Sequence, residues 1–119
     1  MKQPHRIQCK HVYDRVEKSD GHRVLVDRVW PRGIKKEYLQ ADEWRKELSP
    51  SSELRKWFNH DPQRWAAFYQ KFHAELDQQG EAVESVLKGA NGGTLTLLYA
   101  ARDTEHNNAV ALKMYLEKR

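Results

Sequence analysis

The 119-residue chain has a single cysteine, Cys9, so it can form no internal disulfide and offers no cysteine-rich zinc site. No apolar run approaches the roughly 20 residues that a membrane helix needs, and nothing at the N-terminus has the composition of a signal or transit segment. A soluble, cytoplasmic protein without a membrane partner is the expectation. Phosphate-cradling loops of the G-x-x-x-x-G-K type and G-x-G-x-x-G turns are missing too, and the glycine-rich "GANGG" precedes a strand and reads as a turn. The histidines (His5, His11, His22, His60, His73 and His106) include no close pair at metal-ligating helical spacing. Neither a metal nor a cofactor is expected. With no internal repeat, low-complexity segment or linker, residues 1–119 read as one domain.

Apolar residues are also scarce, at 39% of the chain, while 32% of residues are charged. Twelve aromatics compensate, because a buried Trp or Phe removes more apolar surface from water than a valine does. The core should be thin and aromatic. The lone cysteine sits in "IQCKHVY", which alternates as a strand does, so its thiol reads as a small buried hydrophobe. A nucleophilic role would need a base, and only Lys10 and His11 adjoin it.

The net charge of +4 is unevenly placed: residues 1–36 carry +6 and the remainder −2. Such asymmetry favours an anionic partner near the N-terminal third, either a small molecule or nucleic acid.

"RIQCKHVY" at 6–13 and "RVLVDRVW" at 23–30 read as strands, the second apolar on both faces at "VLV" and ended by "PRG". Ala41, Trp44 and Leu48 have helical spacing and suggest a short helix over 41–48. Ser51 or Ser52 can cap a further helix whose inward face is Leu54, Trp57 and Phe58, leaving Arg55 and Lys56 on a solvated face. Asp61 and Pro62 open a helix over 62–76 with the apolar stripe Trp65, Phe68, Tyr69, Phe72 and Leu76. Arg64, Lys71 and His73 alternate with these aromatics as in a single-strand nucleic-acid surface, but the spacing turns the aromatics into the core. A shorter helix follows near 81–88, then a strand "TLTLLYA" at 94–100 and a final helix over 106–118. The order predicts an α/β fold: a small, mostly parallel three-stranded sheet packed with helices, with a helical insertion between the second and third strands. The short first connection suits either a hairpin or a crossover.

In an open parallel sheet, ligands collect outside the carboxyl ends of the strands. The second strand delivers Asp27, Arg28 and Arg32 there. The third delivers Tyr99, Arg102 and Asp103, followed by Asn107 and Asn108. Arginine forks match carboxylate and phosphate oxygens, and a helix start adds amide donors. The predicted site therefore binds an anion (phosphate, nucleotide or small molecule) through Arg28, Arg32, Arg102, Tyr99, Asn107 and Asn108. Asp27 or Asp103 would orient an arginine or act as general base in a hydrolase or transferase. His106 is the imidazole nearest this edge. The structural reading of the same residues pairs Asp27 with Arg32, and Asp103 with Arg102 or Arg28. It lets Asp103 or Thr104 cap the last helix and holds Asp27 by backbone N–H groups. Trp30 and Pro31 read as packing and turn residues. A nucleic-acid module built on the basic first third, or a non-catalytic interaction domain, are the other functions this pattern allows.

Three ordered runs, "SDGHRVLVDRVWPRGIKKEYL", "DEWRKELSPSSELRKWFNHDPQRW" and "TLLYAARDTEHNNAVAL", resemble the YeaO-like family of small bacterial proteins, a domain of unknown function, over residues 7–118. The resemblance implies a single-domain cytosolic α/β protein and no established activity. It places the family's signature on Asp27, Arg28, Trp30, Pro31, Arg32 and Gly33, and on Tyr99, Asp103, His106, Asn107 and Ala109. Relatives often carry His or Gln at position 108, which limits Asn108 to hydrogen bonding.

Overall fold

Alternation in "RIQCKH" and "TLTLLY" is realised as two matched parallel strands in a computed structural model that describes residues 3–118. In it β1 (Arg6–His11) and β4 (Thr94–Tyr99) run in register from Arg6 opposite Thr94 to His11 opposite Tyr99. The strand β2 (His22–Leu25) lies on the other side of β4, also parallel, with His22 opposite Leu95. The sheet has four strands, not the three expected, because β3 (Glu43–Trp44) pairs in parallel with β2. The order is β1-β4-β2-β3. The short first connection is therefore no hairpin: β4 separates the two strands it joins.

The helix expected over 41–48 does not form. The Asp42 N–H donates to the Arg23 carbonyl at 2.7 Å and the Arg45 N–H to the Leu25 carbonyl at 2.9 Å, so donors that a helix would turn on itself are spent on β2. Around β3 lie a single helical turn, α1 (Lys36–Leu39), and a 3₁₀ turn at Lys46–Leu48. The second strand is also shorter than its apolar run. Val26 still donates to Leu98, at 3.1 Å, but the chain then bends out of the sheet and leaves Val29 65% exposed.

Four helices follow. The first, α2 (Ser52–Phe58), is capped by the Ser51 hydroxyl, which accepts from the Leu54 N–H. The helix expected over 62–76 comes in two parts. Asp61 caps a 3₁₀ turn (Pro62–Arg64), which leads into α3 (Trp65–Leu76). Then come α4 (Gly80–Gly89) and α5 (Asn108–Glu117). The side chain that caps α5 is Asn107, not Asp103 or Thr104.

The sheet's two faces differ in kind. On one, Val24, Leu95 and Leu97 pack against the inward residues of the helices, with Phe68, Phe72 and Leu76 at most 2% exposed. Each such side chain contributes about 1.5–3 kcal/mol by its removal from water. Phe58 stacks on Phe68 at 4.4 Å between ring centres, so the core is aromatic where the composition asked for it. Cys9 joins this face, and burial pushes its thiol up to about 11, which keeps it protonated and inert as a nucleophile near neutrality.

The other face carries a polar row. Gln8, Thr96 and Arg23 are register neighbours across β1, β4 and β2. Asp20, 1% exposed, closes the row: its carboxylate accepts from Arg23 Nη1 at 2.6 Å and from Lys10 Nζ at 2.9 Å. Thr96 donates to the Asp20 carbonyl at 2.6 Å and Gln8 to Thr96 at 2.9 Å. The remaining Arg23 donors reach the carbonyls of Leu39 and Gln40. Burial alone pushes the Asp20 carboxyl upward, but the Glu17 N–H, Lys10 and Arg23 together outweigh it and hold the group below the ordinary carboxylate range. Gly21 makes this corner possible: at φ 65° it adopts a conformation side chains disfavour, and a β-carbon there would collide with the Thr94 carbonyl.

Candidate functional site

Where β2 and β4 end, the loop after β2, the segment around α2 and the start of α5 enclose a cleft of about 560 Å³. The parallel strand directions dictate this convergence, since both chains must leave the sheet on the same side. Asp27 sits in its wall, half-buried. One carboxylate oxygen accepts from the Ala100 N–H at 2.9 Å and the other from Asn108 Nδ2 at 3.0 Å. The same Asn108 amide donates to the Val26 carbonyl, so this side chain ties the start of α5 to the end of β2. Burial pushes the Asp27 carboxyl above its ordinary range. The bonds from Asn108 and Ala100 and the more distant charges of Arg55 and His11 oppose that only in part.

No described cation forms an ion pair with Asp27, so the expected pairing with Arg32 is not made. Arg28 instead turns its guanidinium to the Pro50 carbonyl, with Nη2 at 3.1 Å, and pins the loop to the segment that begins α2. Arg32 is exposed at the mouth. Trp30 donates its indole N–H to the Ile34 carbonyl at 2.7 Å and meets Trp44 edge to face, in keeping with a packing role, though it also lines the cleft.

On the side of α5, Asn107 is fully committed: its oxygen caps Val110 and its amide donates to the Asp103 carbonyl. Asp103 accepts from the N–H groups of Glu105 and His106, both at 2.9 Å. These bonds hold its carboxyl below the ordinary range. Its second oxygen lies 3.1 Å from His106 Nδ1. The carboxylate orients the imidazole through Nδ1, and Nε2 has no hydrogen-bond partner among the described residues. His106 packs edge-on against Trp65 and lines the cleft. Asp103 itself does not, and it forms no ion pair with Arg102 or Arg28. It reaches the cleft through His106 and, by its carbonyl, through Asn107.

Asp27, Arg28, Arg32, Asn107 and Asn108 thus meet in the cleft as the sequence suggests, while Arg102 and Tyr99 stay outside its lining. Arg102 is exposed; Tyr99 is 5% exposed in the core, its phenol pushed up by burial. Arg55 and Lys56, which the spacing leaves on a solvated face, join the wall, and so does His60. The polar face of α2, read as solvated, is exposed but turned over the ends of the strands. The signal for it is slight. Asn59 and His60 both take left-handed backbone, at φ 47° and 53°, and this reversal after α2 sets its last turn above the cleft. Among the described residues, no group of three or more His, Cys, Asp or Glu side chains is placed to hold a metal ion. No described helix is long and apolar enough to cross a membrane.

Residues 6–119 match a family model described as the inactive DUF488-N3 subclade, DUF488-N3i. The chain is similar to the uncharacterized protein YeaO of Escherichia coli, 49% identical over 110 residues that span 92% of this chain and 96% of YeaO. It is 34% identical over 114 residues to the uncharacterized protein Rv3073c of Mycobacterium tuberculosis, covering 96% of each chain, and equally to Mb3100c of Mycobacterium bovis. No solved structure matches the chain. Near-complete coverage by both the family model and these relatives makes the chain a YeaO-like member of the DUF488-N3i family.

Proposed function

We propose that the protein binds a small anion, phosphate or a phosphorylated molecule, in the cleft at the strand ends, and that it binds without turnover. One observation carries this reading: Arg32, Arg55 and Lys56 stand exposed around the cleft and none of them makes an ion pair with a described carboxylate. Cations left unpaired around a concavity suit an anionic guest, because the guest supplies the counter-charge that the protein withholds. The description of the family as inactive favours binding over catalysis. Asp27 and Asp103 are then ligand-facing and positioning groups, in place of a catalytic pair.

Support for a nucleic-acid surface on the first third is weaker than composition suggests. Lys10 and Arg23 are spent inside the molecule on Asp20, and Arg28 is spent on a carbonyl. Of the other described bases in that third, Arg32 lines the cleft, where Arg55 and Lys56 from beyond it join, and the cleft's size suits a small molecule. The test is titration with inorganic phosphate followed by amide chemical shifts. Shifts confined to residues 27–32, 55–60 and 106–108, lost on Arg32→Ala with Arg55→Ala, are the expected result. Absence of any saturable shift would overturn the reading.

A further inference from the structure

Depth divides the cleft into zones of different chemistry. Its mouth is cationic, with Arg32, Arg55 and Lys56 exposed. Its deeper wall is apolar: the edges of Phe58 and Phe68, 6% and 2% exposed and stacked on each other, line it with Pro31 and the half-buried indole of Trp30. Between them stands a half-buried pair of acceptors. The Asp27 carboxylate receives two hydrogen bonds, though its two oxygens offer about four sites. The Asn108 side-chain oxygen receives none among the described residues, since that amide is held through its nitrogen alone.

From these zones we infer that the natural ligand is a phosphate monoester of a sugar that also carries a planar base with N–H donors, a nucleoside monophosphate. Its phosphate would rest on the cations at the mouth and its ring would lie on the apolar wall, its donors directed to Asp27 and Asn108. This rests on the anion-binding reading and narrows it. A bare phosphate would leave most of about 560 Å³ unfilled. A sugar phosphate lacks an apolar ring to set against the lining that Trp30, Pro31 and the phenylalanine edges provide. A second anionic group is disfavoured at a carboxylate, whereas a donor there compensates an acid that the fold has desolvated without a cation.

The experiment compares inorganic phosphate, ribose 5-phosphate and the four ribonucleoside 5′-monophosphates by calorimetric titration against the full chain. At least one mononucleotide should bind more than about tenfold tighter than ribose 5-phosphate, and Asp27→Asn, which exchanges an acceptor for a donor, should erase that margin. Asn108→Ala should reduce the margin in the same direction, so the assignment does not depend on one variant. Equal affinity for all six ligands would overturn the ring-binding inference and leave anion binding standing. No binding by any of them would remove both. A mononucleotide preference that survives both substitutions would overturn the placement of the ring on Asp27 and Asn108.

Discussion

Two acids flank β2, Asp20 just before it and Asp27 just after it, and the fold treats them in opposite ways. Asp20 is nearly sealed and meets Lys10 and Arg23 directly, with its carboxyl held low. Asp27 is half-buried and meets only a backbone N–H and an amide, with its carboxyl pushed high. A buried acid that stability alone had shaped would resemble the first. Leaving the second without a cation, in a cleft also lined by the unpaired Arg32, Arg55 and Lys56, is the difference on which the proposed binding rests.

The contrast is broken most forcefully at Asp20. Asp20→Ala strands the Arg23 guanidinium, which cannot deprotonate, on two carbonyls; a loss of about 3–5 kcal/mol is expected in urea unfolding. A loss below about 1 kcal/mol would show that the polar row is dispensable.

The pH dependence sharpens it next, because the two groups have opposite signs. Asp20, low in the folded state, contributes stability at neutral pH that disappears as pH falls through its folded-state value. Asp27, raised in the folded state, contributes in acid, and that contribution is lost as pH rises through its raised value. Urea midpoints measured from acid to neutral pH should therefore fall less on the acid side in Asp20→Asn, with Asp103 and Glu43, also held low, supplying the remainder, and should lose an opposing slope in Asp27→Asn.

Smaller effects follow at the edges of the cleft. Asn107→Ala removes the cap of α5 and the tie to Asp103, for a loss of about 1 kcal/mol in the same assay. Asp27→Asn is expected to change stability by less than about 1 kcal/mol, since the cost of a lost bond to Ala100 is offset by removing a desolvated charge. A larger drop at Asp27 than at Asp20 would reverse the comparison.

Much of this could be read from the sequence, and the reason is periodicity. The stripe from Trp65 to Leu76 and the alternation in "TLTLLY" fix α3 and β4 because each buries a face whatever its neighbours are. The two-residue β3 has no period to detect; it exists only because β2 offers Arg23 and Leu25 carbonyls beside it. The row of Gln8, Thr96 and Arg23 depends on register across three strands, which no local pattern encodes. The candidate site divides along the same line. Residues carried by the strand ends, such as Asp27 and Arg28, are placed by the parallel sheet. Arg55, Lys56 and His60 arrive by the docking of α2, a tertiary event. Arg102 was expected to follow its strand into the cleft, but the backbone turns at Asp103 onto Glu105 and His106 and leaves it outside.

The strand order has a consequence for how the chain is made. β1 has one partner in the sheet, β4, and β4 also joins it to β2. Residues 94–99 are therefore the keystone, and they leave the ribosome after all of β1, β2 and β3. Until then the N-terminal strand has no edge to dock on. Assembly of the sheet must wait for β4, and a nascent chain that has not yet released it leaves β1 without its neighbour.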